Sequence, residues 1–310
     1  MKGVPRVELA RIPTPLEPLE PRVWIKRDDL TGAALSGNKV RKLEFLLADA
    51  LDKAAPAVVT CGGVNSNHAR ATAVACARLG LECHLVLRGE DRQPPTGNLL
   101  LSRFAGATTQ FITHAQWPHV HEIMAEAAEA RSAYVVPEGG SNGLGAMGYL
   151  AATKEMLAQT GPDVRRIVHA VGSGGTTAGL ALGVASAGRA DIEVVGVCVC
   201  DDAATFDTKI QSIIDDAADR GLVPHRAAEA ARWRIKDGYI GPGYAETTPE
   251  AMERLRAITR STGLFFDPVY TGKAFLALHD LPPLPEGDTV FVHTGGIFEL
   301  FAFADHVPSN

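Results

Sequence analysis

Short β-branched runs alternate with longer Ala- and Leu-rich segments of helical period, and this order predicts parallel strands joined by crossover helices. We predict strands over residues 23–27, 57–61, 83–87, 133–137, 167–171, 194–199 and 290–294. Helices are predicted over residues 39–53, 67–79, 98–105, 119–131, 144–159, 176–187, 204–219, 248–262 and 272–280. The stretch 223–244 is the least regular and is interpreted as a loop that crosses toward a site. The 310 residues are enough for two domains or one large α/β unit.

Composition and charge narrow the classes of partner. With 46% hydrophobic and 21% charged residues, the chain has the composition of a folded globular protein. A net charge of −6 and the lack of a basic stripe argue against binding nucleic acid. No apolar run reaches the roughly 18 residues of a membrane span, and the first residues do not resemble a signal peptide. Instead we expect a small-molecule partner. The five cysteines are odd in number and form no C-x-x-C pair, which argues against a disulfide framework and agrees with a cytoplasmic protein.

Three strand-to-helix junctions, 61–70, 170–179 and 292–299, are rich in glycine and polar residues. Open α/β sheets bind their ligands at such junctions, outside the carboxyl ends of the strands. The second junction offers successive backbone N–H groups and two hydroxyls at a helix start, which suits a phosphate, through Gly172, Ser173, Gly174, Gly175 and Thr176. A Rossmann fingerprint would need glycine in place of Thr177, and a P-loop would need Gly-Lys, so both nucleotide interpretations weaken. The alternative is a tight turn in which glycine serves backbone geometry alone.

The segment "LSGNKVRKLEF" places three basic residues within four positions, Lys39, Arg41 and Lys42. The apolar spacing that follows puts Lys39 at a helix N-terminus, where a cation is unfavourable by roughly 0.3–1 kcal/mol. Two interpretations of Lys39 therefore stay open: a functional nucleophile, and an ordinary exposed lysine at a helix start. We predict that the helix dipole, partial burial and the cations Arg41 and Lys42 lower its pKa. A reactive lysine together with a phosphate site suggests pyridoxal 5'-phosphate as the cofactor.

Eight sequence blocks, in order, resemble the pyridoxal-phosphate enzymes that include D-cysteine desulfhydrase and 1-aminocyclopropane-1-carboxylate deaminase. They are "KRDDLTGAALSGNKVRKLEF", "GGVNSNHARATAVA", "GNLLLSRFAGA", "PEGGSNGLGAMGY", "GSGGTTAG", "GPGY", "DPVYTGKA" and "HTGG". The resemblance spans nearly the whole chain. It implies the α/β tryptophan-synthase-beta-like fold (fold type II), with two three-layer domains, the cofactor between them, and a homodimer. We expect a large cofactor-binding domain of 1–42 and 153–310, and a smaller inserted α/β domain of 43–152.

The resemblance also implies roles for individual residues. Lys39 is the Schiff-base lysine and the base for the α-proton, and Lys42 is a supporting cation. Tyr244 and Tyr270 flank the substrate as catalytic residues. The loop that follows the first glycine-rich strand contacts a small amino-acid substrate through Asn65, Ser66, Asn67 and His68. Within that loop Ser66 meets the substrate carboxylate and Asn67 meets the phenolic oxygen of the cofactor. The phosphate lies on Gly172, Ser173, Gly174, Gly175 and Thr176, and the ring lies near Thr271 and Thr294. We expect no metal site.

Position 271 bears on the reaction. In the deaminase a glutamate occupies this position and hydrogen-bonds the pyridine nitrogen, whereas this chain has Thr271, as the desulfhydrases do. A hydroxyl supports a weaker electron sink, which favours β-elimination over opening of a cyclopropane. The expected reaction converts D-cysteine to pyruvate, ammonia and hydrogen sulfide, with Tyr270 assisting loss of the β-substituent. The alternatives are the deaminase, a lyase or β-replacement enzyme for another amino acid such as L-cysteate, and a pyridoxal-phosphate-binding protein without catalysis.

Two departures from the usual family pattern affect the substrate pocket. Asn65 stands where relatives carry glutamine, and it is one methylene shorter. Phe298 and Glu299 follow "HTGG", where relatives have small residues or proline, so we expect them close to the far edge of the cofactor.

Overall fold

The computed structural model describes residues 3–307. In this range ten strands form two sheets, and ten α-helices connect and cover them. The strands are β1 (Leu16–Glu20), β2 (Val23–Lys26), β3 (Ala57–Gly63), β4 (Glu82–Arg88), β5 (Thr108–Ile112), β6 (Tyr134–Val135), β7 (Val164–Val171), β8 (Glu193–Cys198), β9 (Arg234–Lys236) and β10 (Asp288–Val292). The helices are α1 (Lys39–Asp52), α2 (Asn67–Leu79), α3 (Gly97–Phe104), α4 (Val120–Glu129), α5 (Gly143–Thr160), α6 (Gly175–Ser186), α7 (Ala203–Asp219), α8 (His225–Ala230), α9 (Pro249–Thr262) and α10 (Thr271–Leu278).

The two sheets are formed by different parts of the chain. One sheet has the strand order β1-β2-β10-β7-β8-β9, and its strands are parallel except that β1 runs antiparallel to β2. The other sheet, β5-β4-β3-β6, is wholly parallel and is formed by the segment between β2 and β7. The division into a large domain of 1–42 and 153–310 and an inserted domain of 43–152 stays a prediction.

Both faces of the larger sheet are buried, as parallel sheets covered by crossover helices require. Val168 pairs with Phe291, and both join a core with α10 on one face. Their neighbours Ile167 and Val290 also pair, but they point to the other face and join a core with α5 and α6. The continuous apolar character of these strands, rather than an alternating one, is the reason that the sequence predicts parallel strands.

The helix starts beside the site follow local signals in the sequence. Helix α2 begins after Ser66, whose hydroxyl accepts from the backbone N–H of Ala69 at 3.2 Å, and ends at Gly80 in the left-handed conformation. Both bounds of the predicted 67–79 helix are confirmed. Helix α1 begins at Lys39, which confirms that this lysine lies at a helix N-terminus.

The predicted loop over 223–244 is wrong in part. It contains the short helix α8 and the strand β9, which pairs with β8 at the edge of the larger sheet. Two further strands, β1 and β5, were not predicted, and they too lie at sheet edges. Edge strands have one neighbour and more exposed side chains, so their apolar pattern is weak; β1 also contains Pro18, which is tolerated at an edge. None of the described helices has the length and apolar character that a membrane crossing requires.

Candidate active site

The carboxyl ends of β3, β6, β7, β8 and β10 open onto one cavity of about 240 Å³ between the two sheets. This is where parallel α/β sheets place ligands, because the strand-to-helix turns there present free backbone N–H groups. The lining includes most of the predicted site residues, namely Lys39, Ser66, Asn67, His68, Gly172, Ser173, Gly174, Thr176, Tyr244, Tyr270 and Thr294. Asn65, Gly175 and Thr271 do not line this cavity; Asn65 lines a neighbouring one that also shares Tyr244.

A tight turn places Lys39 at the cavity. Gly37 has φ +109°, and a Cβ atom there would lie 2.8 Å from the carbonyl oxygen of Thr294, so only glycine fits. The N–H of Asn38 donates to that same carbonyl at 3.1 Å, which ties the start of α1 to the end of β10. Within residues 3–307 the Lys39 amine has no hydrogen-bond partner. It lines the cavity, where it is available to a ligand.

Burial is the largest influence on the Lys39 amine, and it lowers the pKa to about 8. The acidic groups of Glu138 and Glu299 act in the opposite direction and favour the protonated amine. The lowered pKa agrees with the prediction, but the predicted cause is wrong for Arg41. Its guanidinium is buried and neutralised by Asp28 at 2.7 Å and Glu155 at 2.9 Å. Arg41 supports the fold of the helix start rather than the chemistry of Lys39.

Lys42 does not line the cavity and contacts the loop at Gly139 and Ser141. Its Nζ donates to the carbonyl of Gly139 at 3.2 Å and to the hydroxyl of Ser141 at 3.1 Å, and burial lowers its pKa. The same Ser141 hydroxyl accepts from the N–H of Gly175 at 3.3 Å and contacts the Ser173 hydroxyl at 2.8 Å. Ammonium, backbone N–H and hydroxyl donors thus converge at the N-terminus of α6, and this donor set fits a phosphate.

Glycine is needed where the N-terminus of α6 approaches the loop that contains Gly139 and Ser141. A Cβ atom at Gly175 would lie 2.6 Å from the Ser141 hydroxyl and 2.9 Å from Nζ of Lys42. A Cβ atom at Gly139 would lie 2.2 Å from the Ser173 hydroxyl. The glycines of both loops therefore keep open the space in which the donors meet.

The loop after β3 brings two of its predicted substrate residues to the start of α2. Ser66 is the N-cap residue, and its hydroxyl already accepts from Ala69, which leaves the hydroxyl proton for a ligand. His68 is buried, and its Nε2 contacts the Thr60 hydroxyl at 2.9 Å while that hydroxyl donates to the carbonyl of Val136. Burial and the nearby Lys39 and Lys42 lower the pKa of His68, so the imidazole is neutral near pH 7.

The two predicted tyrosines meet at the cavity wall. The hydroxyls of Tyr244 and Tyr270 are 2.8 Å apart, and their rings pack edge to face. Burial is the largest cause of the raised pKa of both phenols. Both are therefore protonated near pH 7 and are suited to donate a proton rather than to attack as phenolates.

Asp267 organises the end of the cavity where Thr271 was expected. Its carboxylate accepts from the backbone N–H groups of Val269, Tyr270 and Thr271 at 2.9, 2.6 and 2.9 Å, and from the Thr271 hydroxyl. The Thr271 hydroxyl also accepts from the N–H of Asp267 at 3.0 Å. The four acceptor positions of the carboxylate are thus occupied.

The structure adds residues that were not predicted from the sequence. Arg88, Glu138 and Asp267 line the cavity, and Ser141 accepts from Lys42 beside it. Arg88 ends β4, and its guanidinium stacks on the rings of Trp117 at 4.5 Å and Tyr244 at 5.2 Å. Glu138 and Ser141 lie in the "PEGGSNG" block directly after a predicted strand. Their position at a strand end is the signal that could have identified them.

A free lysine at a helix start, facing donors that suit a phosphate, defines a class of α/β enzymes that bind an aldehyde cofactor carrying a phosphate. The family described as pyridoxal-phosphate dependent enzyme matches residues 7–295, and the chain belongs to this family. It is a pyridoxal-phosphate-dependent lyase of the group that contains 1-aminocyclopropane-1-carboxylate deaminase and D-cysteine desulfhydrase.

Comparisons with individual proteins support this placement over nearly the full length. A putative 1-aminocyclopropane-1-carboxylate deaminase of Thermotoga maritima is 41% identical, with 96% of this chain and 98% of that protein covered. The bifunctional D-cysteine desulfhydrase/1-aminocyclopropane-1-carboxylate deaminase of Arabidopsis thaliana, a mitochondrial protein, is 39% identical, with 97% and 80% covered. The crystal structure of a deaminase homologue superposes with a TM-score of 0.86 at 38% identity, covering 98% of this chain and 95% of the other. The predicted fold type II is thereby confirmed.

The pH dependence of cofactor attachment follows from the lowered pKa of Lys39. Only the free amine reacts with an aldehyde, so the rate constant for attachment to the cofactor-free protein should rise with pH, reach half its maximum near pH 8 and then level off. Glu138→Gln removes the carboxylate that most favours the protonated amine, so it should move this midpoint to lower pH. Stopped-flow absorbance measures the rate, and Glu253→Gln on the exposed face of α9 is the control. A wild-type rate still rising at pH 10 would contradict the assignment.

Proposed function

We propose that this enzyme catalyses β-elimination from D-cysteine: D-cysteine and water give pyruvate, ammonia and hydrogen sulfide. The observation that carries this proposal is the state of Thr271. The Thr271 hydroxyl donates its hydrogen bond to the carboxylate of Asp267, and that carboxylate also accepts from three backbone N–H groups. No carboxylate stands at position 271 to hold a proton on the pyridine nitrogen, and the resulting weaker electron sink suits a good leaving group such as sulfide.

The residues around the cavity take the following roles in this proposal. Pyridoxal phosphate, when bound, supplies the electron sink for the negative charge that develops at the substrate's α-carbon. Lys39 accepts the α-proton at Nζ, which is possible because its pKa of about 8 leaves a useful fraction of free amine near neutral pH. The Ser66 hydroxyl and the N-terminus of α2 hold the substrate carboxylate. Tyr270, supported by the hydrogen bond with Tyr244, donates a proton to the departing sulfur.

The proposed role of Tyr270 distinguishes between leaving groups. Tyr270→Phe should lower kcat/KM for D-cysteine by about 10²-fold or more, because hydrosulfide leaves more readily when a proton reaches the sulfur. The same substitution should affect β-chloro-D-alanine much less, since chloride needs no proton. Pyruvate release in a coupled assay measures both rates. Tyr239→Phe, which removes an exposed hydroxyl bonded to Asp280, is the matched control. Equal losses on the two substrates would show that Tyr270 does not protonate the leaving group.

Deamination of 1-aminocyclopropane-1-carboxylate is the second candidate function. It is favoured by the names of two relatives about 40% identical over nearly the full chain, and the plant relative is named for both activities. A panel of D-cysteine, L-cysteine, L-cysteate and 1-aminocyclopropane-1-carboxylate separates the candidates, with pyruvate, 2-oxobutanoate and sulfide measured separately. We expect the highest kcat/KM for D-cysteine. Preferential formation of 2-oxobutanoate, or turnover of L-cysteate alone, would overturn the D-cysteine proposal.

We also propose that the enzyme works as a homodimer in the cytoplasm. One shallow groove exposes three apolar side chains, Leu30, Phe265 and Ile297, which are 45%, 52% and 39% accessible and suit a contact with a second copy. Sedimentation velocity of the purified protein measures the association state, and a purely monomeric protein would contradict the dimer. The five free cysteines agree with a reducing compartment, which localisation of a tagged chain in its host cell tests.

A further inference from the structure

Glu299 is a buried acid beside the cavity that the proposed mechanism does not use. Only 2% of its surface is accessible, and it lies in the 3-10 segment Ile297–His306 that follows β10. One carboxylate oxygen accepts from Nδ2 of Asn67 at 2.8 Å, across 232 positions of sequence. Among residues 3–307 Glu299 forms no salt bridge, and burial, with Asp267 as a smaller cause, raises the pKa of its carboxyl group well above the usual range.

Glu299 ends a chain of three hydrogen bonds that begins at a buried cation. Nε of Arg70 donates to Oδ1 of Asn98 at 3.1 Å, Nδ2 of Asn98 donates to Oδ1 of Asn67 at 3.0 Å, and Asn67 then donates to Glu299. Arg70 is fully buried and Asn98 is 1% accessible. We name this set, Arg70, Asn98, Asn67 and Glu299, the amide relay.

The chemistry at the two ends determines the orientation of both amides. A guanidinium can only donate, so it must face the oxygen of Asn98, and the Asn98 NH₂ group must then face the oxygen of Asn67. A carboxylate is an acceptor at the other end, which agrees with the NH₂ group of Asn67 facing Glu299. The dipoles of both amides therefore point the same way, from the cation to the anion, and each hydrogen bond strengthens the next.

The relay leaves one polar group of Asn67 available. Its Oδ1 accepts from Asn98 and one N–H donates to Glu299, so the second N–H of Nδ2 has no partner among residues 3–307. Asn67 lines the cavity. If the amide were flipped, an oxygen would face the carboxylate and the cavity, and two acceptors would oppose each other at Glu299.

We propose that Glu299 is a positioning residue, which acts through the amide relay to hold Asn67 with an N–H directed at the phenolic oxygen of the cofactor. The inference rests on pyridoxal phosphate as the cofactor and on the contact between Asn67 and its phenolic oxygen, which the family resemblance implies. Arg70 anchors the far end of the relay through the carbonyls of Ala34 and Ser36, at 2.5 and 2.8 Å, and its guanidinium stacks on the ring of Phe298 at 5.2 Å. The residue next to Glu299 thus packs against the cation that begins the relay.

Two substitutions at position 299 separate the hydrogen bond from the charge. Glu299→Gln and Glu299→Leu both remove the ionisable group, so any charge at position 299 is lost in both variants, but only glutamine keeps an oxygen that can accept from Asn67. We expect glutamine to retain cofactor affinity within about threefold of the wild type and leucine to lose about tenfold or more. Equilibrium dialysis measures affinity, and the absorbance maximum of the bound cofactor, which depends on the hydrogen bond to its phenolic oxygen, should shift with leucine alone.

A double-mutant cycle with Asn67→Ala tests whether Glu299 acts through Asn67. Asn67→Ala alone should weaken binding and shift the absorbance, and Glu299→Leu added to it should cost little more. Equal further loss from Glu299→Leu in both backgrounds, or equal effects of glutamine and leucine, would overturn the relay. If Asn67→Ala changes neither affinity nor absorbance, the assignment of Asn67 to the cofactor fails, and the relay falls with it. Melting of the cofactor-free variants checks folding, and Glu299→Ala replaces the leucine variant if that variant aggregates.

Discussion

Lys39→Ala is expected to abolish the yellow colour of the bound cofactor and to lower turnover at least about 10³-fold, because one amine serves as both nucleophile and base. Lys42 lies three residues further along α1, but its amine donates to the carbonyl of Gly139 and to the hydroxyl of Ser141. The Lys42 amine cannot keep these contacts and also occupy the position of the Lys39 amine, so it should not replace Lys39. Absorbance after incubation with pyridoxal phosphate, together with pyruvate release, measures the loss.

The matched control for this substitution lies on the same helix. Lys53 is the C-cap residue of α1, and its side chain is 59% accessible. Lys53→Ala should keep the yellow colour and the activity. A Lys39→Ala protein that stays yellow after gel filtration would show that another amine carries the cofactor, and Lys42→Ala in that background would then identify whether it is Lys42.

The second large effect is expected on stability. The Arg41 guanidinium is buried between Asp28 and Glu155, and Asp28 also accepts from the Tyr149 hydroxyl at 2.5 Å. Arg41→Met leaves the fully buried Asp28 without its cation, and removal of one partner from a buried pair costs about 3–5 kcal/mol. Urea unfolding of the cofactor-free protein measures this cost.

An exposed ion pair provides the control for Arg41. Arg189 pairs with Asp191 at 2.8 Å near the surface and also donates to the carbonyls of Pro162 and Val164, and because water can reach these partners Arg189→Met should cost clearly less than Arg41→Met. In the double variant Arg41→Met with Asp28→Asn, part of the lost stability should return, since no unpaired charge is then left inside. An Arg41→Met protein as stable as the Arg189→Met protein would refute the structural role given to Arg41.

Helix starts and glycine-rich turns could be predicted because their signals are local. Ser66 and Gly80 mark the ends of α2 within the sequence itself, and Gly37-Asn38-Lys39 marks the start of α1. The edge strands β1, β5 and β9 could not be predicted in this way. Their pairing depends on a neighbour that is distant in sequence, and their own residues carry only a weak apolar pattern.

The three basic residues at the start of α1 show that local sequence signals also do not predict which side chains meet in the site. The sequence places Lys39, Arg41 and Lys42 within four positions, which suggests that they act on one another. In the structure Arg41 points to Asp28 and Glu155, and Lys42 points to the loop at Gly139. The partners come from other parts of the chain, so the division of roles among the three residues could not be deduced from their spacing.

By itself, the sequence determined the α/β class and the position of Lys39 at a helix start, because each depends on residues close together in the chain, and the resemblance to the family, because eight such local blocks occur in order. Only the tertiary structure decided which groups face each other: it showed that burial outweighs the other causes of the low Lys39 pKa, that Tyr244 contacts Tyr270, and that the amide relay reaches Glu299. Burial and hydrogen-bond direction depend on groups brought together by packing, and Asn67 and Glu299 lie 232 positions apart before the chain folds.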